Sequence, residues 1–166
     1  MPHTHIYVGL GSNLGDRAGH LLLAVRGMLA AGLRVTCLSA IYETEPVDVP
    51  DQPRFLNMVA ELRGDTPFSP EQVLTRLLRI EYAIGRRRDM PKGPRTIDLD
   101  LLLYHDVQQE SALLTLPHPR LHLRRFVLVP LAELAPEVEH PTLKQSVQQL
   151  LADLRDDASV KLWQPE

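Results

Sequence analysis

The sequence is short of cysteine, of aromatic residues and of long hydrophobic runs. Its one cysteine, Cys37, excludes an internal disulfide, and the alternating apolar stretch around it predicts a small core residue. No run of about 18 apolar residues occurs, so no segment predicts a membrane-spanning helix. The N-terminus has neither the basic nor the apolar region of a signal peptide. We therefore expect a cytoplasmic protein without a membrane partner.

Excess charge of either sign is also absent, because 21 acidic residues stand against 18 basic ones and the formal net charge is −3. This balance argues against a nucleic-acid partner, since such binding depends on neutralising many phosphates. Lysine is scarce, and most of the basic residues are Arg. A guanidinium binds phosphate oxygens through paired hydrogen bonds, but compositional bias of the genome explains the ratio equally well. The positions of the arginines must decide between these explanations.

The length and the spacing of apolar residues predict one α+β domain that spans residues 1–166. Strands are predicted over 5–10, 35–42, 55–62 and 96–104, and helices over 16–32 and 69–85. This order is typical of a ferredoxin-like (βαββαβ) antiparallel sheet with helices packed on one face. An additional C-terminal helical segment follows, with a helix near 126–134 and another from a Thr142 cap to Leu154.

Both central helices carry apolar residues at helical spacing, and we expect these stripes to be buried. The stripes are Leu21, Leu22, Val25 and Leu29 in the first helix, and Val73, Leu77, Ile80 and Ile84 in the second. The second helix opens on a Ser69-Pro70-Glu71-Gln72 capping box and ends at Gly85, and the first ends at Gly32.

Two acidic residues interrupt the last predicted strand of the sheet. Strand geometry places Asp98 and Asp100 on one face, about 6–7 Å apart, and Ile97, Leu99, Leu101 and Leu103 on the other. Two carboxylates that close repel each other without a counter-ion, and paired oxygen ligands suit Mg²⁺. Taken alone, the acid pair is more typical of an exposed strand face that keeps the protein soluble.

A basic loop lies directly before the two acids. Residues 85–95 contain the cations Arg86, Arg87, Arg88, Lys92 and Arg95, against the single anion Asp89. A solvated loop is the usual interpretation of such a charge run. Next to a carboxylate pair, however, the loop has the composition needed to hold a metal-bound polyphosphate from both sides.

Other candidate residues stay open on sequence grounds. The glycine-rich segment 9–15 matches neither a dinucleotide-binding loop nor a Walker loop. A tight turn near the site and a purely structural turn are equally good interpretations of it. Phe55 and Phe126 each stand beside a polar loop and either belong to the core, which the sequence alone favours, or stack on a planar ligand. His118 and Arg124 flank a second basic loop. The remaining histidines are scattered and predict no metal pair.

The string Gly93-Pro94-Arg95-Thr96-Ile97-Asp98-Leu99-Asp100 resembles the 6-hydroxymethyl-7,8-dihydropterin pyrophosphokinase family. Similar segments at 9–14, 42–57, 79–100 and 116–136 follow in the family's order. The resemblance implies an ATP-dependent diphosphotransferase of folate biosynthesis that moves pyrophosphate from ATP to the pterin hydroxymethyl group. It also implies two Mg²⁺ ions as cofactors and ATP and the pterin as small-molecule substrates. We expect a monomer.

The resemblance also implies roles for individual residues. The catalytic set is Arg86, Arg95, Asp98 and Asp100, of which the two aspartates are the metal ligands. The nucleotide-binding set is Glu81, Arg86, Arg88, Ile97, Thr115, His118 and Arg124. The pterin-binding set is Thr44, Val47, Phe55, Asn57, Arg95 and Phe126, with the two phenylalanines on either side of the flat ring. Lys92 stands where many members have Trp, and Asp48 stands where Gly is common.

Two other functions compete with this interpretation. An RNA-binding module of the RRM type also uses a ferredoxin-like sheet, but it needs exposed aromatic residues where Asp98 and Asp100 stand. A metal-dependent nuclease would use the same two acids and would hydrolyse nucleic acid rather than release AMP.

Overall fold

The computed structural model describes residues 5–46, 51–86 and 93–165. The predictions for Val47, Asp48, Arg87, Arg88 and Lys92 fall outside these ranges. None of the helices in the described ranges combines the length and the apolar character that a membrane crossing requires.

The described residues form antiparallel strands and helices in mixed order. Along the chain these are β1 (His5–Ser12), α1 (Arg17–Ala30), β2 (Val35–Leu38), β3 (Tyr42–Thr44), β4 (Phe55–Arg63), α2 (Pro70–Ala83), β5 (Asp98–Tyr104), β6 (Gln109–Glu110), β7 (Thr115–Leu116), α3 (Arg125–Leu134), α4 (Val147–Asp153) and β8 (Val160–Leu162). The main sheet has the order β5-β1-β4-β3-β8, with β2 also paired to β4. Strands β6 and β7 pair separately.

The main sheet is buried on both faces. Along β4, Met58 and Ala60 belong to the core that packs under α1 and α2, whereas Val59 between them belongs to the core under α3 and α4. Alternate residues of a strand point to opposite faces, so each face has its own hydrophobic core. The C-terminal helices therefore cover the face opposite to the first two helices, and the prediction of helices on one face holds for α1 and α2.

Helix α1 begins and ends as predicted, but it buries a different stripe. The Asp16 side chain accepts the Gly19 N–H bond at its start. Its buried residues are Leu21, Ala24 and Met28, whereas Leu22 and Leu29 are 60% and 55% exposed. The small Ala24 lies on the buried face of the helix. The predicted stripe was built from Leu and Val residues and therefore left this alanine out. The predicted stripe of Leu21, Leu22, Val25 and Leu29 was therefore wrong in part.

Helix α2 follows its predicted pattern. Ser69 and Gln72 form the capping box, and Gly85 follows the helix with φ of 97°, a conformation that favours glycine. Val73, Leu77 and Ile80 are buried as predicted, Ile84 is partly buried, and Glu81 is buried beside them.

Strand β5 keeps the predicted alternation only as far as Leu101. The β1–β5 register shifts between Tyr7 and Val8, which pair with Leu103 and Leu101, so Leu102 is an extra residue. The bulge turns Leu103 toward the α3–α4 core, contrary to the prediction. Asp98 and Asp100 precede the bulge and share one face, as predicted.

The predicted strand 35–42 is divided into β2 and β3. The Ser39 hydroxyl accepts the Val59 N–H bond, and the Glu133 carboxylate accepts the Ala40 N–H bond. These side-chain bonds replace bonds between strands, so the strand is interrupted between β2 and β3. Cys37 lies on β2 and is exposed rather than a core residue, because β2 pairs with β4 alone among the described strands.

The last helix begins four residues later than predicted, because its N-cap is Ser146 rather than Thr142. Ser146 and Gln149 form its capping box, and α4 starts at Val147. Lys144 has φ of 59°, which an α-helix does not accommodate, and this excludes the predicted start at Thr142. Strand β8, which no sequence pattern predicted, pairs with β3 at the edge of the main sheet.

Candidate active site

The predicted metal ligands Asp98 and Asp100 lie on β5 beside two glycines of β1. In this antiparallel pair Asp98 is opposite Gly11, and Asp100 is opposite Gly9. Because glycine has no side chain, the β1 backbone leaves space next to both carboxylates, as where a ligand approaches a strand closely. A pocket of about 20 Å³ lies there, lined by both acids and by two of the predicted pterin residues.

Arg86 joins the acid pair to helix α2. Its Nη1 atom lies 2.6 Å from Glu81 Oε2 and 2.7 Å from Asp98 Oδ1. Burial lowers the pKa of the Arg86 guanidinium, but the charges of Asp98 and Glu81 outweigh this effect and raise it. The buried Glu81 carboxylate also accepts the Leu99 N–H bond at 2.8 Å. Glu81, predicted as a nucleotide contact, thus holds Arg86 against Asp98.

Arg95 contacts the second oxygen of Asp98. Its Nη1 atom lies 3.1 Å from Asp98 Oδ2, and its Nε donates to the Gly93 carbonyl at 3.1 Å. The Cζ atom of Arg95 lies 5.7 Å from the centre of the Phe55 ring. One carboxylate is therefore shared by two guanidiniums, and Arg95 lies between this carboxylate and the aromatic ring.

Asp100 has a different environment from Asp98. Within the described part of the chain its carboxylate takes part in no hydrogen bond and no salt bridge. Burial, followed by the negative charge of Asp98, raises the pKa of Asp100 to about 7, and the charge of Arg124 opposes this only in part. A nearby cation would stabilise the ionised form of this carboxyl group.

The predicted pterin residues meet at the start of β4. Thr44 on β3 and Asn57 on β4 are buried, and Asn57 Nδ2 donates to Thr44 Oγ1 at 2.6 Å. This bond fixes the orientation of the Asn57 amide. Phe55 is the first residue of β4, and Phe126 on α3 has its ring centre 5.5 Å from Arg124 Cζ. Asn57 and Phe126 line the same pocket as the two acids.

Two of the predicted nucleotide residues line a separate cavity. Thr115 and His118 belong to a cavity of about 440 Å³ beside the β6–β7 hairpin, and neither Asp98 nor Asp100 lines it. Burial, followed by the charge of Arg124, lowers the pKa of His118 to about 4. The ring is therefore neutral at pH 7. Because Nδ1 accepts the Arg120 N–H bond, Nε2 carries the proton and can donate one hydrogen bond.

Ile97 and Arg124, the other two described residues of the predicted nucleotide-binding set, lie in different environments. Ile97 is fully buried in the core under α1 and α2, since strand alternation turns it away from Asp98. Its side chain is therefore turned into the core, and a nucleotide contact at Ile97 stays a prediction. Arg124 immediately precedes α3, and its charge acts on both Asp100 and His118.

Asn13 was missed as a site residue. It lies at the end of β1 in the glycine-rich segment, is buried, and exchanges hydrogen bonds with Arg95. The available signal was a polar residue directly after an alternating strand, in a glycine-rich segment that matched no nucleotide-binding loop.

The chain is similar to known pyrophosphokinases along most of its length. Residues 7–136 match the family model described as 7,8-dihydro-6-hydroxymethylpterin-pyrophosphokinase. The chain is 43% identical over 158 residues to the 2-amino-4-hydroxy-6-hydroxymethyldihydropteridine pyrophosphokinase of Bacillus subtilis, which covers 95% of this chain and 89% of that protein. It is 46% identical over 136 residues to the protein of the same name from Methylorubrum extorquens, covering 81% of this chain and 85% of the relative.

A solved structure shares the fold at lower sequence identity. The crystal structure of wild-type Plasmodium falciparum HPPK-DHPS with pteroate superimposes with a TM-score of 0.70 and 15% identity, over 90% of this chain and 42% of that one. This similarity supports the arrangement of helices on an antiparallel sheet. The family model and the two relatives confirm the resemblance seen in the sequence, and the chain belongs to the 7,8-dihydro-6-hydroxymethylpterin-pyrophosphokinase family.

Proposed function

We propose that this protein transfers pyrophosphate from ATP to the hydroxymethyl group of 6-hydroxymethyl-7,8-dihydropterin, in folate biosynthesis. The observation that carries the proposal is one pocket whose lining combines Asp98 and Asp100 with Asn57 and Phe126. Phosphate-handling charges and a hydrogen-bonding aromatic surface thus lie side by side, as the transfer of a charged group to a flat heterocycle requires. Family membership and the names of the relatives support the same reaction.

The charge balance of the site supports a dependence on Mg²⁺. Among the described residues, Arg86, Arg95 and Arg124 are matched by three carboxylates, those of Glu81, Asp98 and Asp100. Bound ATP would add further negative charge, which these described residues, balanced in formal charge, do not offset. The described residues contain no group of three or more metal-ligating side chains, and two carboxylates with substrate phosphates are the usual Mg²⁺ ligands. The donor set therefore fits Mg²⁺, and Asp98 and Asp100 would hold two such ions.

In this proposal the pterin side of the site orients the nucleophile. Asn57, whose Nδ2 is already bonded to Thr44, directs its Oδ1 toward the donors on the pterin edge. Phe55 and Phe126 would hold the two faces of the ring. Such restraint accounts for much of the rate enhancement in phosphoryl-type transfer, because the attacking oxygen must lie in line with the leaving group.

The phosphate side aligns the other reactant. The pterin hydroxyl oxygen forms a bond to the β-phosphorus, the bond from that phosphorus to the α–β bridging oxygen breaks, and AMP departs as the hydroxyl proton is released. Arg86 and Arg95 would donate to the oxygens on which negative charge develops. Mg²⁺ held by Asp98 and Asp100 would supply further positive charge and polarise the β-phosphate.

Incubation with ATP, Mg²⁺ and 6-hydroxymethyl-7,8-dihydropterin, with AMP followed by chromatography, tests the proposal. We expect AMP to appear only when the pterin and Mg²⁺ are both present. AMP release without the pterin, or degradation of single-stranded RNA or DNA under the same conditions, would contradict the proposal and favour a hydrolase.

We further propose that residues 1–166 form a single monomeric domain of ferredoxin-like topology, extended by the C-terminal segment. The order β5-β1-β4 with β2 and β3 beyond β4 supports that topology. Sedimentation equilibrium tests the monomer, since a mass near 18.7 kDa is expected.

A further inference from the structure

Asn13 is a buried amide at the point where two separate loops meet. Its relative exposure is 1%, and it directly follows the last residue of β1. One loop, residues 51–54, leads into β4, and the other, residues 93–97, leads into β5. Both loops lie far from Asn13 along the chain, so their contacts with it are tertiary.

The side chain of Asn13 divides its hydrogen bonds between these loops. Its Nδ2 donates to Gln52 Oε1 at 2.9 Å and to the Pro53 carbonyl at 3.0 Å. Its Oδ1 accepts the Arg95 N–H bond at 2.8 Å, and its own N–H donates to the Arg95 carbonyl at 3.1 Å. Both amide hydrogens and the amide oxygen are therefore used, and only a primary amide of this length offers that set.

Each loop contains or directly precedes a residue of the proposed site. Residues 51–54 end at Phe55, whose ring is 5.7 Å from the Arg95 guanidinium. Arg95 in turn contacts Asp98 at 3.1 Å. The backbone of Arg95 and the approach to Phe55 are thus tied to the same amide. In the proposed function Phe55 would contact the pterin, and Arg95 reaches Asp98 on the phosphate side.

We propose that Asn13 is a positioning residue that couples the pterin side of the site to the phosphate side. Ordering of Phe55 by one substrate constrains the loop 51–54, and the shared amide transmits that constraint to Arg95. Loss of the amide removes these bonds from both loops, whose contacting residues are exposed or only partly buried, so both segments open more often. The proposal rests on the proposed function for the identity of the two substrates.

Two substitutions separate the two halves of the contact. Asn13→Ala removes every side-chain bond, whereas Asn13→Asp keeps an oxygen for the Arg95 N–H and replaces the Nδ2 donor with an acceptor. Ser39→Ala serves as the matched control, because it also removes a buried hydrogen bond, to Val59 N–H, outside the site. All three variants are compared with the wild type at equal fractions folded.

Amide hydrogen exchange of the ligand-free proteins, read by mass spectrometry, tests the bridge without reference to activity. We expect Asn13→Ala to accelerate exchange in both 51–56 and 93–98, Asn13→Asp to accelerate it in 51–56 alone, and Ser39→Ala to accelerate it in neither. Wild-type exchange in both segments of Asn13→Ala would overturn the inference.

Ligand titration tests the coupling itself. The affinity for the pterin is measured with and without a non-hydrolysable ATP analogue and Mg²⁺, and the ratio gives the coupling factor. We expect both Asn13 variants to lose at least about fivefold in this factor and about tenfold in kcat, with the affinity for the analogue alone nearly unchanged. Ser39→Ala should keep the wild-type coupling.

The outcomes distinguish the two proposals. If the wild type releases no pterin-dependent AMP, the proposed function fails, and the exchange experiment still decides whether Asn13 bridges the loops. If the wild type is active and Asn13→Ala retains its coupling factor and kcat, the inference fails while the function stands.

Discussion

Gly11 lies directly opposite Asn57 in the β1–β4 pair, and a Cβ atom at residue 11 would stand 2.7 Å from Asn57 Oδ1. That separation is shorter than a carbon–oxygen contact allows. The Asn57 amide cannot move away freely, because its Nδ2 is bonded to Thr44 Oγ1 at 2.6 Å. The absence of a side chain at Gly11 is therefore a condition for the amide orientation that the proposed pterin site uses.

Gly11→Ala should weaken pterin binding. The added methyl group forces Asn57 off its rotamer or breaks the bond to Thr44, at a cost of about 1 kcal/mol or more. We expect the KM for the pterin to rise about tenfold. Steady-state kinetics at saturating ATP measures this change.

The control for Gly11→Ala is the nucleotide. Affinity for a non-hydrolysable ATP analogue should stay close to the wild type, and the melting temperature should fall by only about 2–4 °C, because β1 keeps its pairing. A wild-type KM for the pterin in a folded Gly11→Ala protein would remove Asn57 from the pterin site.

Arg86→Ala should destabilise the fold as well as abolish activity. The substitution takes away the guanidinium that faces the buried Glu81 carboxylate at 2.6 Å and Asp98 at 2.7 Å. Breaking a buried ion pair from one side costs about 3 kcal/mol. Urea denaturation at pH 7 measures the loss, and the AMP assay measures the activity.

The double variant Arg86→Ala/Glu81→Gln separates the two effects. The introduced glutamine is neutral and its side-chain carbonyl can still accept the Leu99 N–H bond, so most of the lost stability should return. Activity should not return, because the guanidinium near the phosphates is still missing. Equal stability of the single and double variants would show that the Glu81 charge is not what Arg86 neutralises.

The sequence predicted those features of the fold that depend on residues close together along the chain. The capping box of Ser69 and Gln72, the helix end at Gly85 and the shared face of Asp98 and Asp100 depend on neighbours within a few residues. The β5 bulge at Leu102 could not be predicted, since it arises from the register against β1. Near the C-terminus two successive capping patterns occur, at 142–145 and 146–149, and the prediction used the first. Neither pattern indicates that Lys144 has a left-handed backbone, which excludes a helix start at Thr142.

For the site, the sequence pattern identified charges better than contacts. The arginines and aspartates were visible as a cluster within 86–100, and the structure brings Arg86, Arg95 and Asp98 together. The bonds of Arg86 to Asp98 and of Glu81 to the Leu99 N–H join the end of α2 to β5, and no local pattern specifies that packing. The bonds of Asn13 to two distant loops were invisible for the same reason.

Asp100→Asn should stabilise the metal-free protein at neutral and alkaline pH. The raised pKa of about 7 means that the folded state holds the Asp100 proton more tightly than the unfolded state. Stability from this group is therefore complete below about pH 4, the ordinary pKa of an unfolded Asp, and is lost as the pH rises through about 7. The Asn side chain does not titrate, so the variant should exceed the wild type by at least about 1 kcal/mol at about pH 8.

Urea denaturation in EDTA at pH 5 and pH 8 measures the Asp100 effect. The advantage of the variant should appear at pH 8 and shrink at pH 5, and it should be accompanied by loss of pterin-dependent AMP release. An equal difference at both pH values would show that Asp100 does not carry a perturbed pKa.

His118→Asn should remove an acid-sensitive component of stability. Burial and the charge of Arg124 lower the pKa of His118 to about 4, so the unfolded state, with its ordinary His pKa, binds the proton first as the pH falls. The wild type should therefore lose about 2–3 kcal/mol between pH 7 and pH 4 that the variant keeps. The Asn Oδ1 can accept the Arg120 N–H bond that His118 Nδ1 accepts at 3.2 Å, which limits other effects of the substitution. Urea denaturation of both proteins from pH 4 to pH 8 measures the difference, which should be constant above pH 7 and should change below it; parallel curves over the whole range would contradict the neutral, buried His118.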